Sequence, residues 1–230
     1  MHLVKWQQRK EVQLSDYQRA RSPEQKAERM EAIMDATEAL FAELSYHEIN
    51  MGLIAKELGW ARSNLYKYAS TQEEVFLALH SRANRAYIED LVNALEGRDL
   101  TNAQFAATWA EVTARHPEFL RYQEILIAII EANTSLERLV EFKQAFGEMI
   151  EPLARVLRSQ VGGDDLAARD LYLRLVYQAP GLYNHFYCAE RTAEAMRLAG
   201  TPPFTGTFEQ SYSDFVLMCL NHAAAATATA

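Results

Sequence analysis

Within six residues of this 230-residue chain stand Arg62, Ser63, Asn64, Tyr66 and Lys67. These side chains suit the grooves of a duplex. Arginine can pair bidentately with guanine and asparagine with adenine, while serine, tyrosine and lysine can grip phosphates and fix register. A polar helix face with one arginine and one lysine is also what solvated surface looks like, so the reading depends on how the stretch is held.

The elements around it supply that context. A short helix opens after Asn50, a good N-cap, and carries Met51, Ile54, Ala55 and Leu58 on one side before Gly59 stops it. A second short helix follows from about Ala61 to Tyr68. Where two helices cross closely the contact needs a small side chain, supplied by Ala55, and the turn needs a residue tolerant of positive φ, supplied by Gly59. Trp60, Leu65 and Tyr68 pin the second helix to a core and leave the polar side free. Asn50, Arg62, Ser63, Asn64, Tyr66, Lys67 and Tyr68 are therefore the candidate DNA-binding residues, and double-stranded DNA is the candidate partner.

A longer helix precedes this corner. Ser22-Pro23-Glu24 reads as its start, and Met30, Ile33, Met34, Thr37, Leu40, Phe41 and Leu44 follow the i, i+3, i+4, i+7 rhythm of one buried face. After it, Thr71-Gln72-Glu73-Glu74 reads as a capping box that starts a helix to about Leu95. Further helices are expected at about 101–115, 117–132, 135–159, 165–189 and 208–221, with Pro180-Gly181 expected to kink or end the fourth of these. The fold class is all-α. Four segments are expected: a flexible basic arm over 1–21, a three-helix helix-turn-helix domain over 22–70, a helical domain over 71–222 and a frayed tail over 223–230.

Composition agrees and excludes other classes. Apolar residues make up 49% of the chain and there are only 9 Gly and 6 Pro. The longest apolar run, Ile125 to Ile130, falls far short of the roughly 20 residues of a membrane helix. The N-terminus lacks the apolar stretch of a secretory signal, so a cytoplasmic protein with no membrane partner is expected. Cys188 and Cys219 form neither a disulfide framework nor a metal-ligand pattern, and neither a metal nor a cofactor is indicated.

Net charge is −8, unfavourable for a phosphate binder, but it is unevenly spread. Residues 1–72 hold ten basic and ten acidic side chains, so the whole excess of acid lies beyond residue 72. The first 26 residues carry six basic groups against three acidic ones.

The stretch from Arg29 to Val75 resembles the DNA-binding domain of the TetR family of bacterial regulators. The matching positions are Ile33, Ala36 and Leu40-Phe41, Tyr46, Ile54-Ala55, Leu58-Gly59, Leu65-Tyr66, and Thr71 with Glu73. Four positions depart from the family pattern. Ser45 replaces a glycine, which implies a left-handed residue costing about 1 kcal/mol. Ala61 replaces a Ser or Thr cap, Ala69 a phenylalanine, and Gln72 a phosphate-contacting lysine.

The resemblance implies that the remaining 150 or so residues form an effector-binding and dimerisation domain. Candidate effector-pocket residues are Phe105, Trp109, Tyr122, Phe142, Phe146 and Tyr177, although aromatics at helical spacing fill cores first. His116 and His185 are candidate effector donors. The last helix is apolar on nearly all sides, which demands cover from a second copy. Leu175, Leu182 and Phe186 of the preceding long helix, with Tyr212, Phe215, Val216 and Cys219, are the candidate homodimer interface.

Together these features imply a dimeric regulator released from a pseudo-palindromic DNA operator by a small-molecule effector of unidentified chemistry. No nucleophile elbow, zinc-protease, P-loop or dinucleotide motif is present, so an enzyme is not indicated. The alternative is a helical small-molecule-binding or adaptor protein that has lost DNA binding through Ala61, Ala69 and Gln72.

Overall fold

Helix-forming sequence, capped and interrupted at identifiable residues, dictates the architecture. A computed structural model of the chain describes residues 23–187, 190–201 and 205–228. No strand occurs among them, so the all-α expectation holds. The chain divides into two compact units, 1–70 and 71–230. The expected basic arm and the Ser22 cap lie outside the described residues.

In the first unit, α1 (Pro23–Glu43) buries Ile33, Met34, Thr37 and Phe41 along one face. The buried Thr37 hydroxyl donates to the Ile33 carbonyl one turn back, at 2.8 Å, and so costs the core no unsatisfied polar group. The chain then makes a 3₁₀ turn (Tyr46–Glu48) capped by Ser45. Glu48 accepts from the Ser45 amide at 2.9 Å and from its hydroxyl at 2.6 Å. Ser45 has φ −74° and ψ 158°, an extended backbone that any residue adopts. The strain expected there is absent: the capping box takes the chain out of α1 without a left-handed residue. Two short helices follow, α2 (Met51–Glu57) and α3 (Arg62–Leu65).

The second unit starts with α4 (Gln72–Leu95), whose Thr71 cap accepts from the Glu74 amide. It continues with α5 (Asn102–Ala114) and α6 (Pro117–Ile125). The expected single helix over 117–132 ends early, passing into a π-helical turn at Leu126–Ile130 and a 3₁₀ turn at Glu131–Asn133. The expected helix over 135–159 is two, α7 (Leu136–Met149) and α8 (Glu151–Val161). Pro152 has no N–H to continue the ladder, and its ring crowds the carbonyl one turn back.

Next, α9 (Asp165–Phe186) runs through Pro180 without ending there. A helix that the sequence reading did not include, α10 (Glu190–Ala199), has no buried residue. Finally α11 (Phe208–Ala228) extends through the alanines expected to fray; alanine has the highest intrinsic helix propensity and needs no apolar partner to continue a helix already nucleated.

One continuous apolar core holds this unit. It joins Tyr87 and Leu91 of α4, Phe105 and Trp109 of α5, Leu153 and Leu157 of α8, Leu171 and Leu175 of α9, and Tyr212, Val216 and Leu220 of α11. Two of its tyrosine hydroxyls are paired in place, while the buried Trp109 Nε1 has no hydrogen-bond partner among the described residues. Tyr172 donates to Asn84 Oδ1 at 2.7 Å, and Tyr212 donates to the Leu175 carbonyl at 3.0 Å.

Candidate nucleic-acid interface

The corner between α2 and α3 is built from its caps inward. Asn50 Oδ1 accepts from the amides of Gly52 and Leu53 at 3.0 and 3.1 Å, which starts α2. Gly59 has φ +67°, in the left-handed region glycine enters without cost. The Trp60 amide then returns to the Ala55 carbonyl at 2.8 Å, closing the turn over the buried Ala55. Leu65 is fully buried and anchors α3. Trp60 is half-buried, lies 6.1 Å from the Tyr68 ring between centroids and carries the Arg29 guanidinium at 5.2 Å on its face.

With that side anchored, Arg62, Ser63, Tyr66 and Lys67 are exposed and Asn64 is half-buried. Lys67 Nζ donates to Asn64 Oδ1 at 2.7 Å. The Arg62 guanidinium lies across the backbone of Gly52, where a methyl on the glycine α-carbon would stand 2.8 Å from Nη2. The short α-helical part is smaller than the expected 61–68 helix. Beyond Leu65 the chain tightens into turns in which the amides of Tyr68 and Ala69 both return to the Leu65 carbonyl. Ala61 at the N-cap is extended and makes no side-chain cap bond. Two expected contact residues have structural duties: the Asn50 side-chain oxygen serves α2, and Tyr68 is half-buried against Trp60.

The candidate effector residues separate. Phe142, Phe146 and Tyr177 gather round one small cavity of about 30 Å³. Phe105 and Trp109 do not line it. They are buried in the core, stacked on each other with centroids 6.0 Å apart. Tyr122 is likewise buried, against Phe76. His116 pairs with Asp90 at 2.9 Å instead of facing the cavity, and His185 does not line it either.

Periodicity missed the polar floor of the cavity, His80 and Gln123. They are 43 residues apart and meet at 2.8 Å between Nε2 and Oε1. Burial opposes charge on His80 and lowers its pKa to about 4, against the raising effect of the Gln123 bond and with a smaller push from Lys143. The ring is neutral near pH 7, so Nε2–H donates to Gln123. Nδ1 is then a bare acceptor, buried and without a hydrogen-bond partner among the described residues.

The candidate interface residues also divide. Leu175, Tyr212 and Val216 are fully buried within the one chain and have no surface to offer a second copy. Leu182, Phe186, Phe215 and Cys219 are half-buried. A groove of about 880 Å³ runs between α9 and α11, lined by Leu171, Arg174, Phe215, Met218 and Cys219 among others. Leu166, on α9, and Met218 stand 75% and 61% exposed. Burial pushes the Cys219 thiol up, away from a reactive thiolate. Among the described residues no cluster of His, Cys, Asp and Glu could hold a metal, and no helix is long and apolar enough to cross a membrane.

A helix-turn-helix unit with a polar exposed second helix, joined in sequence to a larger all-helical unit, defines the class of helix-turn-helix transcription regulators. Comparison makes the class specific. Residues 33–79 match a family model described as bacterial regulatory proteins, tetR family, and residues 81–226 match one described as tetracyclin repressor-like, C-terminal domain. The chain belongs to the TetR family of transcription regulators.

Solved structures share the fold. The TetR family transcriptional regulator PfmR from Thermus thermophilus is 17% identical, with 82% of this chain and 97% of that one covered and a TM-score of 0.50. The TetR family repressor AlkX from Dietzia sp. strain DQ12-45-1b is 11% identical over 90% and 97% of the two chains, with a TM-score of 0.53. No curated protein is significantly similar in sequence.

Proposed function

We propose that this regulator is a homodimeric repressor that leaves a pseudo-palindromic operator when a small molecule binds its C-terminal unit. One observation carries the DNA half of this reading: Leu65 is fully buried while Arg62, Ser63, Tyr66 and Lys67, its near neighbours in sequence, are exposed. Buried and exposed side chains alternate round a single turn, which keeps the polar groups available to base edges and phosphates. Arg62 and Asn64 are assigned to base edges, and Ser63, Tyr66 and Lys67 to the backbone.

Dimerisation rests on the apolar groove between α9 and α11, where Met218 would otherwise remain in water. Two-fold symmetry then sets two copies of α3 toward successive major grooves. An effector that binds better to a dimer with wrongly spaced recognition helices lowers DNA affinity by its differential affinity for the two states. A dimer seated on a promoter obstructs polymerase, which gives the repressing sign.

The test is fluorescence anisotropy of the full chain on the DNA upstream of its own coding sequence, with a scrambled duplex as competitor. Retention of the native duplex at least a hundredfold tighter than of the scramble is expected. Equal weak retention of both would overturn the reading and leave a helical carrier or adaptor that no longer reads DNA.

A further inference from the structure

The cavity floored by His80 and Gln123 holds the information about what the C-terminal unit takes. Leu126, Phe142, Phe146 and Val176 give its lining an apolar part, and the buried His80, Asn84 and Gln123 give it a polar one. A buried nitrogen acceptor with nothing to accept from is costly, and native interiors rarely leave one without a purpose. At about 30 Å³ the space accommodates a water molecule, whereas effector pockets run to hundreds of Å³. The wall that can yield is α7. Of its fourteen residues only Phe142 and Met149 are buried, so little apolar contact holds it down. Lys143 of α7 meets Glu131 at 2.6 Å across the rim, and the backbone beneath is the π-helical turn at Leu126–Ile130, a distortion frequent at functional sites.

We infer that this cavity is the effector site, that it opens by outward movement of α7, and that its ligand is an uncharged molecule with an apolar body and one hydroxyl or N–H that donates to His80 Nδ1. The inference rests on the ligand-responsive reading above and deepens it. Charge decides the class. An anion would meet the lone pair of a neutral imidazole. A cation would find the carboxylate of Glu131 already held by Lys143. A ligand without a donor would leave Nδ1 as unsatisfied as before.

Three probes with the same butylphenyl body separate these cases: 4-butylphenol, 4-butylanisole, which lacks the donor, and 4-butylbenzoate, which carries a charge. They are titrated into the full chain while the imidazole ¹⁵N resonances and the melting temperature are followed. The phenol is expected to move the His80 Nδ1 resonance and raise the melting temperature, with the other two binding at least tenfold more weakly. His80→Phe should weaken phenol binding at least tenfold.

A His80 resonance unmoved by saturating phenol, or benzoate binding as tightly as the phenol, would overturn the site; neither needs a variant to fold. Operator anisotropy separates the two proposals. Phenol bound at His80 with DNA retention unchanged keeps the site and removes the ligand-responsive reading. A ligand that releases the operator without moving the His80 resonance does the reverse.

Discussion

Arg62 rests on Gly52: the guanidinium carried by α3 lies against the one residue of α2 that has no side chain to exclude it. The neighbour that would have to give way to a Cβ is the far end of a flexible side chain, so Gly52→Ala displaces Arg62 without breaking the fold. Operator affinity should fall several-fold, with preference weakened at one base pair and the melting temperature not lowered. Arg62→Ala should weaken the same position more, by about 1–3 kcal/mol. Binding to a set of single-substituted operators measures both. A Gly52→Ala protein with intact preference would mean that Arg62 reads DNA from another conformer.

The caps either side of the corner have opposite room for change. Asn50 satisfies two amides, so Asn50→Ala should cost about 1 kcal/mol of stability. Ala61 is in the extended conformation of a cap but lacks the acceptor, so Ala61→Ser should add about 0.5–1 kcal/mol. Urea denaturation of the two variants against the parent chain should move the midpoints in opposite directions.

His80 makes stability depend on acid. Its pKa is about 4 folded against 6.5 unfolded, so between those values the unfolded chain binds the extra proton. This contribution is fully present above about pH 6.5, declines as pH falls and is exhausted near pH 4, for a total of up to ~3 kcal/mol. In His80→Gln the slope of unfolding free energy against pH in that window should shrink by up to one proton. An unchanged slope would show that His80 is charged or solvated in the folded state.

The groove between α9 and α11 lets the proposed dimer contact be tested apart from the core. Met218→Glu should dissociate the dimer in sedimentation velocity while far-ultraviolet circular dichroism remains helical, because this side chain is 61% exposed. Val216→Glu, two residues earlier and fully buried, should instead unfold the second unit. A dimer that survives Met218→Glu would place the contact elsewhere.

Much of the helix-turn-helix was legible in order of residues, because its determinants are local. Asn50, Ala55, Gly59 and Leu65 act on neighbours within a few positions, and their chemistry survives in a one-dimensional reading. The same kind of reading failed where its signal was absent or overridden. α10 buries no residue, Pro152 divides what periodicity joined, and the alanines after Asn221 propagate a helix that bulk alone would not support. Ser45 needs no left-handed conformation because Glu48, three residues on, accepts from its amide and hydroxyl while it stands extended.

The site in the second unit depended on tertiary structure throughout. Nothing in the spacing of Phe105, Trp109, Phe142 and Tyr177 says that the first two stack inside a core while the others border a cavity, since the helical rhythm is the same for both. Nor does sequence join His80 to Gln123, whose contact closes across 43 residues. Helical periodicity tells which face of a helix turns inward, and with the caps it made the chain all-α and left one polar face of α3 exposed. What that face meets is decided only when helices distant in sequence pack, because burial, unpaired lone pairs and cavities belong to the assembly of elements and to none of them singly.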